Sequence, residues 1–276
     1  ITGIYEDLLA AVTSLNKDFF LALIKFDLKK ALSIIHIRFL VPMTLGMLTA
    51  IFSLARVMHY LINEHAILTW SMFFGLIAAS IVVIFKQLEN PKALKNIISL
   101  VCGTVFAWLM VSLIPVETPM DSWFIYLCGV IGITAMLLPG LSGSFLLLIL
   151  GKYEFITGAV KSPFAEGNFI ILLTFVAGTF TGLLGFSRIL NYFLKNYHSQ
   201  TMAFLTGILI GSMKKVWPWK ETLETVVVRG KVKILREANI MPDAINDQTA
   251  MAIILALIGF TVIIYLEKSA SKNNLV

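Results

Sequence analysis

Charge is what this chain has least of. Only 14% of its 276 residues are Asp, Glu, Lys or Arg, against about 25% in a soluble domain. With 58% hydrophobic residues and a mean hydropathy of +0.87, that shortage excludes a soluble globular domain and implies an integral membrane protein with several spans. The net charge of +6 then requires no nucleic-acid partner. Lys and Arg gather in the loops flanking membrane helices, where they face anionic lipid. Cysteine is nearly absent: Cys102 and Cys128 sit inside apolar runs and read as small core residues, not a disulfide or a metal pair. His36, His59, His65 and His198 show no i, i+4 pairing and no nearby cysteine, so neither a metal site nor another cofactor is expected. No feature of the sequence bears on the oligomeric state.

What the chain does have is a series of apolar runs. Lys17 to Arg38 alternates apolar clusters with Lys25, Asp27, Lys29 and Lys30, the pattern of an amphipathic helix at the interface. Spans are expected at about 39–61, 66–88 and 93–114, then at 168–190, 201–217 and 249–266. Between the two groups come an acidic loop, Pro115 to Asp121, and a broken apolar segment, Ser122 to Val160, opened by the interfacial aromatics Trp123 and Tyr126. The polar stretch 220–247 carries both charge signs and reads as water-facing. On the side assignment that puts Lys17 to Arg38, Lys86 to Lys95 and the C-terminal tail in the cytoplasm, the acidic loop lies outside. The basic residues between Lys220 and Arg236 run against that trend.

The break itself is Leu138-Pro139-Gly140-Leu141-Ser142-Gly143-Ser144, followed by Leu150-Gly151-Lys152-Tyr153-Glu154. Pro139 ends the preceding helix, and the apolar run that restarts at Phe145 is far short of the roughly 20 residues needed to span a bilayer. Backbone broken at membrane depth is tolerated only in a protein interior or a wet cavity. Gly140 and Gly143 permit close ligand approach. The amides and hydroxyls of Ser142 and Ser144, at the start of a half-helix, favour an anion such as phosphate.

The chain also matches itself. Gly3-Ile4-Tyr5-Glu6 repeats 148 positions on as Gly151-Lys152-Tyr153-Glu154. At a spacing of 132, Gly46 pairs with Gly178, Thr49 with Thr181, Arg56 with Arg188, Tyr60 with Tyr192, Thr69 with Thr201, Gly75 with Gly207 and Ser80 with Ser212. The expected fold is therefore an all-α integral membrane protein of two inverted repeats, 1–121 and 122–276. Each repeat is a re-entrant or broken hairpin followed by about three transmembrane helices. The first copy's Pro-Gly break is expected upstream of Ile1. The small-residue pairs Gly178/Gly182 and Gly207/Gly211, with Gly46/Ala50 and Gly75/Ala79 at the matching places, predict close helix packing.

Arg56 and Arg188, intramembrane and repeat-related, are candidates to pair with a phosphate or an interior carboxylate. Snorkelling to the headgroups is the plainer alternative. Glu6 and Glu154 could bind a coupling proton or neutralise the arginines, the plainer alternative being acids exposed at the interface. Tyr5, Tyr153, Gly3 and Gly151 are supporting residues of the same motif. A lipid phosphatase is disfavoured. Ser187-Arg188 with His198 is too widely spaced for a phosphatase motif, and no histidine stands in Pro139 to Ser144 to act as nucleophile.

With its Pro-Gly-Leu-Ser-Gly-Ser break, its Leu-Gly-Lys-Tyr-Glu sequence and the second Gly-Ile-Tyr-Glu copy, the chain resembles the undecaprenyl-phosphate translocases, the polyprenyl-phosphate transporter type of bacterial membrane protein. That family's motif is roughly Pro-Gly-Val-Ser-Gly-Gly-Thr, then Leu-Gly-x-Tyr-Glu, once per half. Ser144 and Phe145 depart from it at the Gly-Thr positions. The resemblance implies a multi-pass protein of the bacterial cytoplasmic membrane that carries undecaprenyl phosphate from the outer to the inner leaflet for cell-wall synthesis. On that reading its partners are the lipid and the bilayer, and it is no enzyme. The residue pattern alone is also compatible with a secondary transporter of a small anion or other solute using the same inverted-repeat site.

Overall fold

The computed structural model describes residues 37–116, 118–228, 231–242, 244 and 246–273, with scattered positions between 8 and 34. The expected interfacial helix 17–38 falls largely outside the described residues. So do Gly3, Tyr5 and Glu6. Nine helices are described: α1 (Ile37–Glu64), α2 (Ala66–Lys86), α3 (Leu94–Ser112), α4 (Ser122–Leu137), α5 (Gly143–Ile149), α6 (Tyr153–Lys161), α7 (Asn168–Asn196), α8 (His198–Val216) and α9 (Asp247–Asn273). Four of them, α2, α3, α7 and Asp247–Ser269 within α9, are long and apolar enough to cross a membrane. This is a helical, multi-pass membrane protein.

The expected elements and the observed ones agree closely, with two differences. First, the polar stretch is no plain loop. β1 (Lys220–Val228) and β2 (Lys231–Asn239) pair antiparallel, with Lys220 opposite Asn239 and Val228 opposite Lys231. Second, two helices stand where spans were expected but are not among the four apolar ones: α1, in which only the shorter stretch Phe39–Ala50 is apolar enough among the described residues, and α8. α8 is instead heavily buried, with Thr206, Ile208 and Ser212 at most 1% exposed. A helix enclosed by protein has no need of lipid-grade hydropathy, and its small residues serve close packing instead.

The chain forms two compact units, each discontinuous in sequence and each drawing on both halves of the expected repeat. One comprises residues 1–57, 117–137 and 142–198; the other comprises 58–116, 138–141 and 199–276.

In the first unit, α4 packs along α7. A Cβ on Gly178 would overlap the Tyr126 carbonyl, and Gly129 stands in the same relation to Phe175. Gly182 faces the backbone of Val130. The register rises together, 126 with 178 and 130 with 182, so α4 and α7 run parallel. The chain between them must therefore return to the level from which α4 set out. The pair α5 and α6, bent by 112°, lies on that return.

In the second unit, α2 packs along α9 and α3 lies against α8. Gly75 meets Ala256 and Gly259 meets Met72; Gly103 meets Phe204 and Gly207 meets Leu100. At one end the Asn96 amide donates to Ser199 Oγ and to the carbonyls of Glu89 and Asn90, while Ser199 donates to Glu89. At the other, Phe74 packs edge-on against Trp217 and Lys220 lies over Trp70. The start of α8 is thus beside the end of α2, and its end beside the start of α2. These two helices, related by the spacing of 132, run antiparallel.

Candidate functional site

Pro139-Gly140 breaks the helix as its residue types require. α4 stops at Leu137, and Gly140 takes φ +84°, a conformation that L side chains rarely adopt. A Cβ there would come within 2.5 Å of Ser212 Oγ, so the tight turn needs glycine twice over. Leu141 N–H closes the turn onto the Leu138 carbonyl.

Ser142 caps α5 from extended backbone, its Oγ accepting from the Phe145 amide at 3.4 Å. Ser142 Oγ and Ser144 Oγ are 2.8 Å apart, and both residues are exposed. The amides of Gly143 and Ser144 have no partner among the described residues. Gly143 is buried, with the Gly132 carbonyl where its Cβ would be, and this fixes α5 against α4. The two exposed hydroxyls, beside amides that have no partner among the described residues, make a donor set suited to the oxygens of an anion. α5 has only seven residues, so these individual donors matter more than any helix dipole.

The far end of α5 is closed by a Schellman turn. Lys152 N–H bonds to the Leu147 carbonyl and Gly151 N–H to that of Leu148, with Gly151 at φ +64° as the motif demands. This accounts for Gly151 in the Leu-Gly-Lys-Tyr-Glu sequence. Glu154 lies in the first turn of α6 and is half-buried; Tyr153 is exposed.

Arg188 is an exposed residue of α7, with no hydrogen bond or ion pair among the described residues. It therefore does not pair with a described carboxylate. Carrying the α4–α7 register onward puts Arg188 level with Met136, whose Cγ touches Gly143. Arg188 and the Ser142–Ser144 turn thus stand at similar depth. Arg56 lies within α1, but its side chain falls outside the described residues. A cavity of about 370 Å³ in the second unit, lined by Phe85, Leu88, Lys92, Asn96 and Leu100 among others, contains none of the expected site residues. Among the described residues no cluster of His, Cys, Asp or Glu could hold a metal.

One residue was missed by sequence reasoning. Lys152 is 1% exposed, and its ammonium donates to the Thr118 carbonyl at 2.7 Å. A lysine beside a glycine at the end of a short apolar run looks like a boundary residue. Its burial depends on Thr118, which lies 34 positions away.

The apolar helices and the broken segment define a helical, multi-pass membrane protein. A sequence model of the undecaprenyl phosphate translocase-like family matches residues 1–233, and the chain belongs to that family. It is 36% identical over 279 residues to a polyprenyl-phosphate transporter of Vibrio cholerae serotype O1, covering 99% of this chain and 89% of that protein. It is also 32% identical over 196 residues to a polyprenyl-phosphate transporter of Staphylococcus aureus, covering 65% of this chain and 68% of that protein. No solved structure matches the chain significantly.

Proposed function

We propose that this protein moves undecaprenyl phosphate across the bacterial cytoplasmic membrane, from the outer to the inner leaflet, returning the lipid carrier used in cell-wall synthesis. The observation that carries this reading is the broken segment with its outward-facing Ser142–Ser144 hydroxyl pair and unpartnered amides. The relatives' names supply the substrate class. A phosphate at membrane depth must exchange its hydration for fixed donors, or the transfer costs many kcal/mol. Pro139 and Gly140 create the break, and Ser142, Gly143 and Ser144 donate to the phosphate. Arg188, at similar depth, supplies charge, and Arg56 does the same in the first half. The isoprenoid tail stays in lipid. Glu154, with its counterpart Glu6, exchanges the proton that couples the step, supported by Tyr153 and Gly151 and their counterparts Tyr5 and Gly3.

The architecture we infer is an inverted repeat. Its support is the antiparallel run of α2 and α8 and the return of the chain between α4 and α7, which leaves an odd number of crossings per half.

The test is reconstitution into liposomes carrying labelled undecaprenyl phosphate in one leaflet, with ion flux recorded alongside. Loss of label from the loaded leaflet, dependent on the protein, is the expected result. Ion flux without lipid movement would replace this reading with that of a small-anion transporter.

A further inference from the structure

The Lys152 ammonium is buried at the bend between α5 and α6, where the Thr118 carbonyl accepts from it and the Phe124 ring is centred 5.7 Å away. No carboxylate pairs with it among the described residues. Burying an ammonium costs desolvation that its partners must offset. An apolar side chain of similar length in its place is commonly neutral or stabilising, so packing alone does not call for a lysine.

What an ammonium does here that a methionine cannot is tie the joint. Thr118 is bound twice: its carbonyl accepts from Lys152, and its hydroxyl donates to the Leu150 carbonyl. The two bonds bracket Gly151, the left-handed residue of the turn. At its other end α5 is pinned by Gly143 against Gly132. A seven-residue helix fixed at both ends is a short rigid rod, and a shift at one end is carried to the other.

We propose that Lys152 is a positioning residue. Its bond to Thr118 latches the bend and thereby holds Ser142 and Ser144 in register for a lipid phosphate. The proposal rests on the function proposed above for the Ser142–Ser144 turn.

The test compares the full chain with Lys152→Met, Lys152→Arg and Thr118→Val, measuring thermal unfolding, hydrogen exchange over residues 147–156 and lipid translocation. Lys152→Met is expected to unfold no earlier than the parent. Its exchange over this segment should rise about tenfold and its translocation fall about tenfold, with Lys152→Arg recovering part of both. Thr118→Val, which removes the hydroxyl bond to Leu150 but keeps the carbonyl that Lys152 holds, should loosen the same segment by a smaller factor. If Lys152→Met does not fold, Lys152→Arg decides the matter, through faster exchange confined to this segment at an unchanged unfolding temperature. Unchanged exchange in the folded variants overturns the proposal. Faster exchange throughout the protein with a lowered unfolding temperature also overturns it, in favour of a general role in stability. If the parent chain moves no polyprenyl phosphate, the functional reading fails while the exchange result still decides the latch.

Discussion

Gly75 and Ala256 meet backbone to backbone: a Cβ on Gly75 would overlap the Ala256 carbonyl. Gly207 stands in the same relation to Leu100. The two contacts correspond residue for residue, since Gly75 and Gly207 are 132 positions apart and Leu100 and Ala256 are 156 apart. A second pair obeys the same spacings. Gly259 abuts the Met72 carbonyl and Gly103 that of Phe204, with Met72 and Phe204 separated by 132 and Gly103 and Gly259 by 156. α2 clasps α9 as α8 clasps α3, each clasp joining a helix from one half to a helix from the other. This supports the proposed repeat and carries it into the third helix of each half.

Gly75→Ala and Gly207→Ala should therefore destabilise to a similar extent. In both, the added methyl meets a carbonyl that cannot yield without moving a whole helix, at a cost of about 1–3 kcal/mol. Gly185→Ala, in α7 with nothing within 4 Å of the new atom, should be neutral or stabilising by up to about 1 kcal/mol through helix propensity. Thermal unfolding in detergent checks all three. Equal behaviour of Gly75 and Gly185 variants would contradict the clasp.

Ser142 and Ser144 share one hydrogen bond and face outward, so the hydroxyls contribute little to the fold. The cap to Phe145 is long at 3.4 Å, and losing it should cost at the low end of the usual range, about 0.5 kcal/mol. The double variant Ser142→Ala/Ser144→Ala should stay folded while translocation falls at least tenfold. Two lost bonds to a charged phosphate are worth about 1.5–3 kcal/mol each. Parent-like translocation would remove the hydroxyl pair from the site.

Much of this arrangement was legible in the sequence, and for local reasons. Pro139-Gly140 interrupts an apolar run whatever surrounds it, and the edges of α2 and α3 follow from where polar residues begin. The glycine spacing announced the close packing seen at Gly75, Gly178, Gly182, Gly207 and Gly211, though not at Gly46, where an added Cβ would meet nothing within 4 Å. Nor did it announce that Gly75 would meet Ala256, because no local signal links residues 181 positions apart. Lys152 was opaque for the same reason. The hairpin was not opaque. Val226-Val227-Val228, then Arg229-Gly230, then the alternation Lys231-Val232-Lys233-Ile234 is a strand–turn–strand pattern, masked by the mixed charge that made the stretch read simply as polar.

Lys220 opens that hairpin, its side chain 12% exposed and 3.4 Å from Glu237. Burial pushes its ammonium below the ordinary lysine range, only partly offset by Glu237 and reinforced by Lys215. Between that lowered value and the ordinary one, the unfolded chain binds a proton that the folded chain has shed, so stability rises with pH across the window. Below the window the cost of the buried charge is felt in full. Lys220→Met should raise the unfolding temperature near neutral pH, and the gap should narrow as pH climbs toward the ordinary lysine value. A gap that widens over that climb would show the Glu237 attraction outweighing burial.

Arg188 offers the sharpest separation of charge from structure. It is exposed on α7 and makes no hydrogen bond or ion pair among the described residues, so removing it breaks nothing that holds the fold. Its level beside Met136 places it at the depth of the Ser142–Ser144 turn. Arg188→Ala should therefore unfold within a degree or two of the parent yet lose translocation by about 10- to 100-fold, the worth of one charge-assisted contact to phosphate. Arg188→Lys keeps the charge but not the two-pronged geometry and should fall between them. If the arginine merely snorkels to headgroups, both variants will translocate at the parent rate, and the charge for the phosphate must come from elsewhere in the chain.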